Sequence, residues 1–230
     1  MKAVAEMNAV AEMNAPATQK YQALFFDLDG TLVDSIADLH ACLSQAFEQL
    51  SLPKLELAQV SAWVGRGTAM LIAQALAWAG KPELQQDCLA AFNQAYAQCD
   101  HGLTQVRPEA LACLALWRSQ GYRLALITNK PMQFTQPLLE VHGLAPFFEL
   151  VLAGDSLPEA KPKPMPLLKA AEHFCLSVEQ CLMIGDSVHD WHAAQAAQMD
   201  AVILTGGYGP ALPAEIPANQ LLDSLDALPL

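Results

Sequence analysis

The chain has 230 residues, of which 53% are hydrophobic, and its 24 acidic and 12 basic residues give a formal net charge of −12. This length can bury a substantial core in one large or two modest domains. The acidic balance argues against nucleic-acid binding, because no basic stripe neutralises phosphates, and no apolar run reaches the ~18 residues of a membrane span.

The N-terminal repeat and the cysteine spacing bear on the cellular compartment. The sequence AVAEMN occurs at residues 3–8 and again at 9–14, and two such short copies cannot build a repeat fold. We therefore expect residues 1–20 to form a disordered or frayed leader. Since no secretory signal is visible and no two cysteines form a CxxC pair, we predict reduced, mostly buried thiols in a cytoplasmic protein.

The first predicted elements are a strand and a helix. The apolar run 23–28 precedes Gly30, which is typical of a fully buried parallel strand. Ser35 and Asp38 have the spacing of a capping box, which predicts a helix that begins there and ends near residue 50.

The stretch that follows has a helical pattern throughout. Residues 60–100 are interrupted only near 65–67 and 80–82, and no strand-like alternation occurs between residues 37 and 102. We expect residues 37–102 to form an all-helical cap inserted after the first strand.

Beyond residue 108 the pattern alternates between helix and strand. It predicts helices at 109–119, 132–142, 164–174 and 188–198, and strands at 123–128, 149–153, 181–185 and 201–205. Such alternation indicates a parallel sheet. The predicted fold class is therefore α/β, with a Rossmann-like parallel core, flanked by helices, built from residues 21–36 and 103–230.

Polar residues follow four of the predicted strands. Ligands of open parallel sheets bind at the carboxyl edge, so these side chains are expected to share one pocket. The candidate residues are Asp27, Asp29, Thr128, Asn129, Lys161, Asp186 and Asp190.

The four aspartates indicate a metal. Asp27 and Asp29 can emerge on the same side of an extended segment, and Asp186 and Asp190 are one helical turn apart. At roughly 4 Å and an effective dielectric constant near 20, each carboxylate pair costs about 4 kcal/mol. A divalent cation with oxygen ligands removes that repulsion, and Mg²⁺ is the usual choice beside phosphate.

The remaining polar residues suit a phosphoryl group. Thr128 offers a hydroxyl, Asn129 an amide N–H and Lys161 a fixed positive charge. Together with a carboxylate nucleophile and a metal, these groups are typical of a phosphoryl-transfer site.

The motifs DLDGTLVDS, TNK, KP and GDSVHD, in this order, resemble those of the haloacid dehalogenase superfamily of phosphatases. The resemblance implies that Asp27 is the nucleophile and forms an aspartyl-phosphate, and that Asp29 acts as general acid and then as general base. It further implies that Asp27, the Asp29 carbonyl and Asp186 hold Mg²⁺ with support from Asp190. Thr128, Asn129 and Lys161 would then bind the phosphoryl oxygens, beneath a helical cap.

Four further stretches, less specific than the catalytic motifs, resemble the bacterial phosphoglycolate phosphatases of that superfamily. They are WVGRG at 63–67, TNKP at 128–131, PLLE at 137–140 and TGGYG at 205–209. They imply hydrolysis of 2-phosphoglycolate to glycolate and phosphate. Arg66 is then either a solvated loop charge or a cap residue that meets an anionic group of the substrate. Gln198 departs from the family, which normally has Gly at that helix end.

The sequence is compatible with several functions. The substrate could be a sugar or amino-sugar phosphate or pyrophosphate, and the reaction could be that of a phosphoglucomutase-type phosphotransferase. A non-catalytic binding protein is the least favoured alternative, since every catalytic position carries a suitable residue. The expected partner is a small phosphorylated metabolite, with no nucleic acid and no membrane, bound by a monomer or homodimer.

Overall fold

A computed structural model of the protein describes residues 19–228 and residue 230. The predicted leader, residues 1–20, thus lies almost entirely outside the described residues. The strands are β1 (Ala23–Phe26), β2 (Val33–Asp34), β3 (Gln105–Val106), β4 (Arg123–Ile127), β5 (Leu150–Leu152), β6 (Cys181–Gly185), β7 (Asp200–Leu204) and β8 (Leu221–Leu222). The α-helices are α1 (Ile36–Gln49), α2 (Leu57–Trp63), α3 (Thr68–Ala79), α4 (Gln85–Ala97), α5 (Ala110–Ser119), α6 (Met132–Val141), α7 (Met165–Phe174) and α8 (Val188–Ala197).

Six strands form one parallel sheet in the order β5-β4-β1-β6-β7-β8. In the register of the central strand, Phe26 lies opposite Leu126 on one side and Ile184 on the other. All four residues of β1 are fully buried, as expected for a strand covered on both faces. The predicted α/β class, a parallel sheet with flanking helices, is confirmed.

The core lies on both faces of this sheet. Leu24 and Phe26 pack on one face against a cluster that includes Leu114 of α5 and Leu138 of α6. Phe25 points to the other face, where α7 and α8 cover the sheet. This alternation follows from the two-residue side-chain period of a strand, and it fixes the level at which β1 ends and its polar residues begin.

Residues 36–97, here called the helical segment, contain α1 to α4 and form a hydrophobic cluster of their own. Phe47 and Phe92 belong to this cluster, and Phe134 of α6 joins it from the α/β core. The helical segment therefore packs directly against the core. Within residues 19–228, no helix combines the length and apolar character required to cross a membrane.

Three details of the prediction were wrong. The capping box at Ser35 does not form, because the Ser35 hydroxyl donates to Asp29 while Asp38 accepts a hydrogen bond from Thr104. Strand β1 ends at Phe26 rather than at residue 28, because the Leu28 carbonyl accepts from the Thr31 and Leu32 N–H groups in the turn that follows. The two-residue antiparallel pair of β2 and β3 was missed, since so short a pair has no recognisable period.

Gln198 ends α8 in the left-handed conformation, at φ 55° and ψ 34°. We expect Gln198→Gly to raise the free energy of unfolding by roughly 0.5–1 kcal/mol, because the strain relieved exceeds the entropy that Gly adds to the unfolded chain. Urea unfolding measures the change. Gln195→Gly, at an exposed position inside α8, is the control and should lower the same quantity by about 1 kcal/mol.

Candidate active site

Most of the predicted polar residues line an open cleft where the carboxyl edge of the sheet faces the helical segment, and Lys161 and Asp190 are buried next to Asp27. The cleft has an empty volume of about 580 Å³. The core contributes Asp27, Asp29, Thr128, Asn129, Lys130, Asp186 and Ser187, and the helical segment contributes mainly apolar side chains and backbone. Residues more than 150 positions apart in the chain therefore line one space, because parallel strands end at the same edge.

Three carboxylates and one ammonium form the floor of the site. One oxygen each of Asp27, Asp186 and Asp190 lies within 4.8 Å of the others. Lys161 Nζ is 3.0 Å from Asp27 Oδ1 and 2.6 Å from Asp190 Oδ1. All four residues are buried, so the negative charge exceeds the positive charge by two in a poorly hydrated space.

This imbalance perturbs the protonation of the cluster. Burial, opposed by Lys161 and assisted by Asp190, raises the pKa of Asp27 to about 7. Burial, Asp190 and Asp27 raise the pKa of Asp186 well above its ordinary value. Burial alone would lower the pKa of Lys161, but Asp190 and Asp27 raise it, so this lysine stays charged. The excess of carboxylate charge is what a divalent cation would neutralise.

The surroundings of Asp186 test whether a metal fits. Its oxygens accept hydrogen bonds of 2.8 Å from the Thr31 hydroxyl and from the Tyr208 N–H. A Cβ atom at Gly30 would lie 2.2 Å from Asp186 Oδ2, and one at Gly207 would lie 2.0 Å from it. Backbone without side chains thus surrounds a fixed, oxygen-only donor set, which suits a hard cation such as Mg²⁺.

Ser187 and Asp190 form a capping box at the start of α8. The Ser187 hydroxyl donates to Asp190 Oδ2 at 2.6 Å, and Asp190 Oδ2 also accepts from the Ser187 N–H at 3.0 Å. Because Oδ2 is held in this way, Oδ1 is directed to Lys161. Ser187 therefore caps α8 and also orients Asp190.

Asp29 lies beside this cluster and has its own cation, Lys130. Lys130 Nζ is 3.2 Å from both carboxylate oxygens of Asp29 and 4.7 Å from the centre of the Tyr96 ring. Burial alone would lower the pKa of Lys130, but Asp29 and Tyr96 raise it above its usual range. Lys130 was not among the predicted site residues, although it is the third residue of the TNK motif.

Thr128 and Asn129 use part of their hydrogen-bonding capacity inside the protein. The Thr128 hydroxyl oxygen accepts from the Lys130 N–H at 3.2 Å, which leaves its O–H for another acceptor. The Asn129 side-chain amide donates to Gly65 O at 2.8 Å and to Lys161 O at 2.9 Å. The Asn129 side chain therefore links the core to the helical segment and is not free to bind a ligand through its amide N–H groups.

A sequence model of haloacid dehalogenase-like hydrolases matches residues 24–204. The chain belongs to this family.

Relatives within the haloacid dehalogenase-like hydrolases are similar over most of their length. A phosphoglycolate phosphatase of Nitrosococcus oceani is 44% identical over 191 residues, which cover 81% of this chain and 85% of that protein. One from Vibrio cholerae is 41% identical over 80% of this chain and 84% of its own length. A crystal structure of a predicted phosphoglycolate phosphatase from Haemophilus somnus has a TM-score of 0.84 at 32% identity, covering 90% of this chain and 96% of that one. On this likeness the chain is an enzyme of the phosphatase class.

Arg66 is the one predicted residue that stands apart from the haloacid dehalogenase-type cluster. Its side chain is exposed and does not line the cleft, whereas Gly65 and Gly67 on either side of it do. A Cβ atom at Gly67 would lie 2.8 Å from Asn129 O, so the backbone here is in close contact with the core. The predicted role of Arg66 toward substrate stays a prediction.

Proposed function

We propose that the protein is a Mg²⁺-dependent phosphomonoesterase that converts 2-phosphoglycolate to glycolate and phosphate through an aspartyl-phosphate. The observation that carries the proposal is the buried convergence of Asp27, Asp186 and Asp190, with Lys161 in contact with Asp27 and Asp190. The names of the relatives above support the choice of substrate.

Asp27 is the proposed nucleophile. Its Oδ1 accepts from the Leu28 N–H at 2.8 Å and contacts Lys161, so the carboxylate is held in one orientation. Oδ2 then forms the bond to phosphorus as the ester oxygen leaves. Thr128 and Asn129 line the cleft, and in this proposal the Thr128 O–H, the Asn129 N–H and the Lys161 ammonium donate to the oxygens of the phosphoryl group.

Asp29 is the proposed acid and base. It gives its proton to the departing alkoxide oxygen, and then takes a proton from the water that attacks the aspartyl-phosphate and frees Asp27. Ser35 and Lys130 fix its orientation during both steps. Mg²⁺ held by Asp27, Asp186 and the Asp29 carbonyl, with Asp190 behind them, would neutralise the clustered charge and polarise the phosphoryl oxygens.

The helical segment is proposed to act as a cap that limits substrate size. Leu39, Val64, Leu71 and Phe92 line its side of the cleft. These apolar side chains offer no hydrogen-bond partners to the hydroxyl groups of a sugar, which disfavours a sugar phosphate. Arg66 is the only arginine between residues 37 and 102, and it is the proposed partner of the substrate carboxylate.

A phosphate-release assay on a panel of esters tests the proposed function. We expect 2-phosphoglycolate to be the preferred substrate, and EDTA to abolish turnover until Mg²⁺ is restored. Metal-independent turnover would contradict the mechanism, whereas preference for a sugar phosphate or pyrophosphate would contradict only the substrate. Conservation of ester phosphate in the products would instead indicate a phosphotransferase.

Arg66→Gln tests the proposed substrate contact. We expect KM for 2-phosphoglycolate to rise about tenfold, as for loss of one charged hydrogen bond, with little change in kcat. Steady-state kinetics measure both constants. Lys81→Gln, which removes an exposed cation elsewhere in the helical segment, is the matched control and should change neither. If Arg66→Gln and Lys81→Gln have the same KM, Arg66 is a solvated charge that does not contact the substrate.

A further inference from the structure

A second group of metal-ligating side chains lies outside the proposed active site, at the junction between the helical segment and the core. Asp38 lies in the first turn of α1, and Cys99 and His101 follow the end of α4. One ligand atom each of Asp38, Cys99 and His101 lies within 4.8 Å of the other two. The start and the end of the helical segment therefore meet at these three side chains.

Asp38 is a buried carboxylate whose negative charge has few neutralising contacts. It is 3% exposed, and its Oδ2 accepts a hydrogen bond of 2.6 Å from the Thr104 hydroxyl. Among the residues that the structure describes, no lysine, arginine or histidine forms an ion pair with it. The N-terminus of α1 offsets part of the cost of a buried charge, and a bound cation would offset the rest.

His101 supplies an independent observation. It is 4% exposed, and its Nδ1 has no hydrogen-bond partner. Its backbone is left-handed at φ 57°, which is uncommon outside glycine, and its ring lies 5.4 Å from the Tyr96 ring. A buried imidazole nitrogen without a partner costs free energy unless something binds it.

Cys42 places a second thiol beside Cys99. It lies one turn after Asp38 on the same face of α1 and is buried. Its pKa is raised to about 12, first by burial and then by the Cys99 thiol beside it. The His101 N–H donates to Cys99 Sγ at 3.3 Å, which directs that sulfur. Neither thiol is in a disulfide.

We infer that Asp38, Cys99 and His101 form a binding site for a transition-metal ion of the Zn²⁺ type. One sulfur, one nitrogen and one oxygen donor select a borderline-soft ion over Mg²⁺. Because the three donors come from the start and from beyond the end of the helical segment, the bound ion would fasten its two ends together. Binding releases the Cys99 thiol proton to solvent, since the thiolate is the ligand.

The absorption spectrum of the reduced, full-length protein with added Co²⁺ tests the site. The measurement is made in excess Mg²⁺. We expect Co²⁺ to produce a thiolate-to-metal charge-transfer band at one equivalent per chain, and Zn²⁺ to displace it. The aspartate cluster of the proposed active site contains no sulfur, so it cannot produce that band. Absence of the band in the reduced wild-type protein would overturn the inference.

Variants locate the site. Cys99→Ser should weaken Zn²⁺ binding more than about 100-fold, beyond the effect typical of losing an outer-shell partner. Cys175→Ser, at an exposed cysteine after α7, is the matched control and should bind as the wild type does. His101→Asn, which tolerates the left-handed backbone, provides a second variant if Cys99→Ser fails to fold by circular dichroism. A band unchanged in the folded variants would place the ion elsewhere and contradict the inference.

Discussion

Asp27→Asn is expected to abolish phosphate release and, at the same time, to make the metal-free protein more stable above pH 7. Removing a nucleophile that forms a covalent intermediate typically costs about 10⁴-fold or more in kcat. The amide oxygen of the substituted side chain can still accept from the Leu28 N–H and contact Lys161, so the local structure should persist. Loss of activity would then report on the chemistry rather than on folding.

The stability effect follows from the raised pKa of Asp27. Burial raises this pKa from 3.8 to about 7 in the folded state. Between these two values the folded protein holds a proton that the unfolded chain has lost, so the free energy of unfolding falls as the pH rises. Above pH 7 the wild type bears the full free-energy cost of burying the ionised Asp27 carboxylate. The amide of the variant carries no charge and avoids that cost. Each pH unit between the two pKa values contributes about 1.4 kcal/mol, so the expected gain is on the order of 4 kcal/mol.

Urea unfolding in EDTA at pH 8 and at pH 4 measures this difference. We expect the free energy of unfolding of Asp27→Asn to exceed that of the wild type at pH 8 and to match it at pH 4. Asp87→Asn removes an exposed charge from α4 and is the control, with little change at either pH. A variant that is inactive but less stable than the wild type at pH 8 would contradict the electrostatic argument.

Lys130→Met is expected to lower kcat by about 10²- to 10³-fold, because Lys130 holds the proposed acid and base, Asp29. Removing one partner of a buried ion pair should also lower the free energy of unfolding by about 3 kcal/mol. Phosphate release and urea unfolding measure the two effects. Lys163→Met is the matched control, since Lys163 is exposed, and neither quantity should change.

A double-mutant cycle separates a positioning role of Lys130 from a general loss of structure. If Lys130 acts through Asp29, adding Lys130→Met to Asp29→Asn should cost little further activity. Full additivity of the two losses in kcat would show that Lys130 acts independently of Asp29. Unchanged kcat in Lys130→Met alone would remove Lys130 from the site.

The sequence by itself determined the succession of the five longest strands along the chain and the edge at which polar residues would meet. The apolar runs before Asp27, Thr128 and Asp186 are local signals, as are the turn residues that end them. A parallel sheet then places such strand ends together whatever the distance between them in the chain. The predicted neighbours Asp27, Lys161, Asp186 and Asp190 accordingly lie in contact range in the structure.

Only the tertiary structure decided which partner each polar side chain takes. Ser35 has the sequence signature of a helix cap, yet its hydroxyl binds Asp29, and the side chain of Asn129 binds the carbonyl of Gly65 across the cleft. The approach of Asp38 to Cys99 and His101 likewise joins positions about 60 residues apart. A local pattern carries propensity and period, but such contacts depend on how whole elements pack, which no short stretch of sequence contains.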